Sequence, residues 1–259
     1  MSTRARSVLA PAALVAALLL AWELAARWDV LADLLSVKDY LIPAPSQIAE
    51  ALWEERELLA EDAWVTLREV LLGFALAAIA GMGLAVAMHL SEPVRRALYP
   101  LLVASQTVPI VVLAPVLVVW FGFGIVPKLL IIALICFFPI AVNAYDGLRS
   151  VDPELVKMMR TLGADRRQIL RGAELPWSLP YFFSGAKVAI AVAVIGAVFG
   201  EWAGADSGLG HLILVSSGEL STSLTFAAIF VLSLIAIALF GLLSLVERRV
   251  VNWREDPAR

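Results

Sequence analysis

Two groups of residues in this sequence have types and spacings that could do work. The first lies between Arg149 and Pro180, where RSVDPELVKMMRTLGADRRQILRGAELPWSLP mixes basic and apolar residues around a central Gly163. Asp152 is a good N-cap, Pro153 suits the first helical position, and Glu154 favours the positive end of a helix. The spacing predicts a helix over Pro153–Leu162 that stops at Gly163, a residue suited to the left-handed position past a helix end. Asp165 can cap a second short helix, Arg166–Arg171, ending before Gly172 and Pro176. Docking is the chemistry of such a segment. Leu155, Met158, Met159, Leu162, Ile169 and Leu170 give it an apolar surface that suits a groove on a partner protein. A loop lying on lipid headgroups would use the same basic residues.

The second group is polar and embedded in apolar runs. Gln106, Thr107, Asn143 and Asp146 stand close to Pro109, Pro115 and Pro139. Each proline removes a helical hydrogen bond, and such breaks persist in membranes where protein or water satisfies the freed carbonyls. Polar side chains beside them line a solute route, or hydrogen-bond between packed helices. Gln106, Pro109 and Asn143 are the candidate pathway residues, with Glu201 at a Gly-rich outer turn as a further one, either seating an external protein or gating the mouth. Lys187 is expected to snorkel from its span to the nearer surface. Catalysis finds no support. His89 and His211 stand alone, the single cysteine, Cys136, sits in an apolar run, and no G-x-x-x-x-G-K-[ST] phosphate loop occurs. No catalytic, cofactor or metal residue is expected, so any energy source lies on another chain.

The elements that must position these groups follow from composition. The 259 residues are 61% hydrophobic and 17% charged, with a net charge of −3 and a mean hydropathy of +0.87. A soluble domain is about 45–50% apolar and roughly 25% charged, so lipid is the solvent. Disorder, a disulfide scaffold and nucleic-acid binding are disfavoured. A spanning helix needs about 20 apolar residues. Runs free of Asp, Glu, Lys and Arg are Ser7–Trp22, Val70–Ser91, Ala97–Pro127, Leu129–Tyr145 and Leu220–Val246, and Leu175–Gly200 is interrupted only by Lys187. Ala97–Pro127 reads as one span near Leu98–Trp120, closed by the turn Phe121–Gly124. The first run follows Arg4 and Arg6 but is longer than a signal-peptide core, and reads as an uncleaved span. The expected fold is an all-α membrane protein with six transmembrane helices and both termini on one side.

Charge sets the orientation. Fourteen of the 20 lysines and arginines fall on the side of the termini and the Arg149–Tyr181 loop, five on the other, which makes the termini cytoplasmic. The opposite side holds nine acidic residues between Arg27 and Trp64, and Ser46–Asp62 there is predicted to form a short surface helix.

The Arg149–Pro180 loop resembles the coupling loop of permease subunits of binding-protein-dependent ABC importers. Their pattern is Glu-Ala-Ala, three residues, Gly, nine residues, Ile, one residue, Leu-Pro. Gly163, Leu175 and Pro176 match at the required spacing, within a TLGA segment (Thr161–Ala164) also typical of these proteins. Lys157, Met158 and Met159 stand in place of Glu-Ala-Ala, and Ala173 in place of Ile, so the family glutamate's ion pair to the ATPase is not carried over. Glu154, one turn earlier, is the candidate substitute. The resemblance runs over Thr66–Val246, with Ser7–Ala26 as an added first helix. Leu113–Gly124 (LAPVLVVWFGFG) and Gly200–Gly210 (GEWAGADSGLG) resemble the branch carrying sulfonates, taurine, nitrate and thiamine precursors. SQTVP (Ser105–Pro109), Phe137–Pro153 and VIGAVFGEW (Val194–Trp202) are most similar to its pyrimidine or thiamine-precursor members.

The resemblance implies a type I ABC importer permease-like fold. It also implies a single transmembrane domain over 1–259: added helix 7–26, outer loop 27–65, core 66–246 with coupling loop 149–180, and tail 247–259. The implied partners are two copies of an ATPase subunit, an external solute-binding protein, a second copy of the chain and the bilayer of the cell's inner membrane. The solute would be a pyrimidine or thiamine-precursor heterocycle, or alternatively a sulfonate, taurine or nitrate. A secondary transporter would need intramembrane acidic residues and an inverted repeat, and neither is evident in the sequence.

Overall fold

The computed structural model describes residues 3–28, 38 and 41–253, and every regular element among them is helical. The elements are α1 (Thr3–Arg27), α2 (Pro45–Glu54), α3 (Arg56–Leu90), α4 (Glu92–Ser105), α5 (Ile110–Phe121), α6 (Ile125–Arg149), α7 (Pro153–Thr161), α8 (Arg166–Ile169), a π-helical turn (Leu170–Glu174), α9 (Leu175–Trp202), α10 (Leu209–Gly218) and α11 (Thr222–Val250). Helices suit lipid because they satisfy their backbone groups internally. Among the described residues four are long and apolar enough to cross a bilayer: α3, α6, the run Arg166–Trp202 and α11. The pair α4 and α5 makes a fifth if taken as one broken span. Of the six expected runs, Ser7–Trp22 falls within α1. Most of the acidic stretch between Trp28 and Leu41, and the tail residues Arg254 and Arg259, lie outside the described residues.

Three elements differ from expectation. The surface helix expected over Ser46–Asp62 ends as α2 at Glu54, and α3 then runs unbroken for 35 residues. No Gly or Pro separates Arg56 from Val70, so the span extends through the charged stretch ahead of it. The expected single span Leu98–Trp120 is instead two helices bent by 104°. Pro109 stands at the N-cap of α5 rather than inside a helix, because it cannot donate to the turn before it. Finally, the second coupling-loop helix does not stop before Gly172. It passes through the π turn into α9, with Pro176 in the first turn after it.

The described chain divides into two compact units. In the first, Met1–Trp64 with Ser207–Leu232, Ser46 donates from its backbone N and its hydroxyl to Glu23 at 2.9 and 2.8 Å, tying α2 to α1. Asp62 accepts from the Gly208 N–H at 2.7 Å, at the start of α10, a helix the sequence does not announce. In the second, Val65–Asp206 with Ser233–Arg259, α6 and α9 form the main pair. Small residues make that pairing close. Ala141, Ala144, Ala186, Ala189, Ala193 and Ala197 are fully buried, and a Cβ on Gly185 would sit 2.4 Å from the Pro139 carbonyl oxygen. Close backbone approach over small side chains is the usual basis of helix association in lipid. α3 meets α6 closely at Gly73 and Gly81, where a Cβ would run into Ile132 and Ile140, and shares a buried cluster with it, Ala85 and Met88 with Ala141, Ala144, Tyr145 and Leu148.

Candidate functional site

The coupling loop forms as two capped helices around a glycine. Asp152 accepts from the Glu154 N–H at 2.8 Å and so starts α7. The helix ends in a Schellman arrangement: the Ala164 N–H reaches the Met159 carbonyl and the Gly163 N–H the Arg160 carbonyl, each at 3.0 Å. Gly163 has φ +88°, a conformation that costs any L residue with a Cβ. Asp165 and Gln168 then cap α8 reciprocally at 2.7 Å. Glu154, Lys157, Met158 and Gly163 are exposed, and Leu162 and Met158 stand 78% and 53% open. The helix–glycine–helix form expected of this loop is present, with one correction. Ile169, expected on the exposed apolar surface, is 1% exposed. It belongs to the root of the loop, where α8 meets the core. Met159, half-buried, reaches back over Gly172, while Leu175 and Pro176 are half-buried where α9 begins.

The candidate pathway residues separate into three places. Ser105, Gln106 and Pro109, at the bend between α4 and α5, line a cavity of about 580 Å³ with Leu84 of α3 and Leu134 and Phe137 of α6. The bend is locally satisfied: Ser105 Oγ donates to the Leu102 carbonyl at 2.7 Å and Thr107 Oγ1 to the Ala104 carbonyl at 2.8 Å. Asn143 is elsewhere. Its Nδ2 donates to the Pro139 carbonyl at 2.7 Å, and Gly185 of α9 leaves no room for a Cβ beside it. Asn143 therefore serves the α6–α9 crossing rather than the cavity.

Glu201 occupies the third place and corrects the expectation of an exposed outer turn. It is 1% exposed and accepts from the Thr66 hydroxyl at 2.6 Å, so it offers no surface to an external protein. Glu69 is equally buried and pairs with Lys128 Nζ at 2.7 Å. Four polar residues thus share buried positions where the start of α6 and the end of α9 meet the first half of α3. The sequence held a signal for this group: Glu69 abuts the run Val70–Ser91, Lys128 separates two runs and Glu201 ends a third. Lys187, expected to snorkel, pairs with Glu247 near the end of α11 at 2.5 Å.

The chain and its fold have known relatives. The family described as "Binding-protein-dependent transport system inner membrane component" matches residues 74–252. The formylaminopyrimidine transport permease protein ThiX of Halalkalibacterium halodurans is 38% identical over 253 residues, 97% of this chain and 98% of that protein. The riboflavin transport system permease protein RibX of Chloroflexus aurantiacus is 37% identical over 87% of this chain and 85% of its own length. The taurine transport system permease protein TauC of Escherichia coli is 30% identical over 88% and 86%. Among solved structures, an inward-facing MetNI methionine ABC transporter chain superposes with TM-score 0.64 at 20% identity, covering 77% of this chain and 97% of that one. It shows the fold. ATP hydrolysis in these systems lies on a separate subunit. The chain belongs to the binding-protein-dependent ABC importer permeases, as a multi-pass membrane subunit that works with an ATPase and a solute-binding protein.

Proposed function

We propose that two copies of this chain form the solute route of an importer, with the α7–α8 loop and both termini in the cytoplasm, and that the solute is a neutral nitrogen heterocycle of the formylaminopyrimidine kind. The glycine-centred loop carries the first part of this reading. Its two exposed apolar anchors, Met158 and Leu162, and the exposed Glu154 present a knob to an ATPase groove. Closure of the ATPases on ATP pulls the two knobs together and shifts the route from one access state to the other. Glu154 takes the place of the coupling glutamate that Lys157 displaces.

The cavity at the α4–α5 bend favours the heterocycle over an anion. Its lining is apolar with the Ser105 hydroxyl and the Gln106 amide, and carries no lysine or arginine. An amide donates and accepts, as a pyrimidine edge requires. A sulfonate or nitrate passing through lipid would call for cationic donors. Glu201 and Asn143 act on the route only by holding its helices.

Uptake into vesicles carrying the chain with its ATPase, supplied with loaded binding protein outside and ATP inside, tests this reading. Formylaminopyrimidine accumulation should be ATP-dependent and exceed that of taurine by at least tenfold, and Gln106→Leu should remove most of it. Preferential taurine uptake would overturn the solute assignment. Uptake driven by an ion gradient without ATP would place the chain among secondary transporters.

A further inference from the structure

We infer that Glu174 is a positioning residue that ties the coupling loop to the cytoplasmic end of α3, so that loop movement is passed to that span as well as to α9; the inference rests on the permease reading above. Glu174 lies at the end of the π turn, with its side chain 7% exposed. One of its oxygens, Oε2, takes two partners from opposite directions in the chain. Arg166 Nη1, in the first turn of α8, donates to it at 2.5 Å. His89 Nε2, in the last turn of α3, lies 2.9 Å from it, at ion-pair distance but without hydrogen-bond alignment. A carboxylate buried this deeply holds its partners at fixed distances, because separating them leaves a charge uncompensated in low dielectric.

The surrounding backbone points the same way. The π turn, Leu170–Glu174, inserts an irregular turn between α8 and α9, and such turns are frequent at functional sites. Met159 of α7 reaches to the Cα side of Gly172 within that turn, and Leu170 and Leu175 pack on the core cluster that includes Met88 of α3. The knob therefore stands on a short hinge whose end is pinned by Glu174 to two other helices. When an ATPase displaces the knob, Arg166 moves with α8, and Glu174 and His89 follow. Without the pin, α7 and α8 rock on the hinge while α3 stays in place.

Hydrogen exchange on the permease–ATPase complex in nanodiscs, with and without MgATP plus orthovanadate as the probe, tests this. In the unmodified complex, trapping should slow exchange in the loop, residues 153–171, and change it at the end of α3, residues 84–91. In Glu174→Gln the loop response should remain while the 84–91 response falls at least threefold, and Glu174→Asp should restore part of it. Arg166→Ala, a change at a side chain 40% exposed, should give the same split if Glu174→Gln does not assemble. An undiminished 84–91 response in either variant overturns the proposal. Failure of both variants to assemble also overturns it, since the cluster would then be a rivet of the fold. A loop that shows no response in the unmodified complex would instead refute the permease reading.

Discussion

Lys128→Met should lower the stability of this protein by roughly 3–5 kcal/mol, the usual cost of removing one partner from a buried ion pair. Glu69 and Glu201 are each 1% exposed and Lys128 is 7% exposed. Lys128 is the cation paired with Glu69, and the Thr66 hydroxyl bonds Glu201. Methionine keeps the length and apolar stem of lysine but leaves Glu69 facing no charge. Against a typical total of about 5–15 kcal/mol, this is a large fraction. In thermal melts of the detergent-solubilised protein, the midpoint should fall by roughly 10 °C. Lys128→Met combined with Glu69→Gln should recover more than half of that loss, because the uncompensated charge is gone. A single variant melting with the parent protein would show that the cluster is wet rather than buried.

Gly185→Val should be comparably severe, for a steric reason. The α6–α9 pairing brings the Pro139 carbonyl oxygen within 2.4 Å, and the Asn143 Cβ within 2.8 Å, of where a Cβ on residue 185 would lie. The nearer obstacle is backbone, which cannot rotate aside. Overpacking of a close interior costs about 1–3 kcal/mol where side chains yield, and here the helices themselves must part. Parting them also unpacks Asn143, whose amide braces the proline turn within α6. Gly83, in α3, is the internal control, since a Cβ there meets nothing within 4 Å. Gly83→Ala should be neutral or stabilising by up to roughly 1 kcal/mol, the ordinary gain for Gly to Ala in a helix. Melting midpoints of the two variants should therefore move in different directions. Equal midpoints would contradict the close α6–α9 seam.

What the sequence disclosed was whatever is local. Asp152, Pro153, Gly163 and Asp165 each announce a helix end through their own backbone chemistry, and each is used as announced. Apolar runs announce helices because lipid permits little else. What was hidden depends on contacts distant in sequence. Thr66 and Glu201 are 135 residues apart, and Glu69 and Lys128 are 59 apart; their places beside apolar runs mark the charges as unusual, but nothing local says which of them meet. A span that is hydrophobic all round carries no stripe to say which face packs, so Asn143 was readable as polar but not as a brace. Pro109 was visible as a break, whereas the 104° bend it permits depends on how α4 and α5 pack. The π turn escaped because Gly172 and Pro176 look like helix stops, while the core holds the helix together through them.

The central claim is that the Arg149–Pro180 loop joins this chain to an ATPase. Its most direct test is co-purification of the ATPase subunit with the membrane-extracted chain, comparing the unmodified protein with one lacking Asp152–Arg171. The unmodified chain should retain the ATPase in stoichiometric amount, and Glu154→Ala should retain less. The deleted chain should lose more than nine-tenths of it while still inserting into the membrane at the same level. Undiminished ATPase retention by the deleted chain would contradict the account.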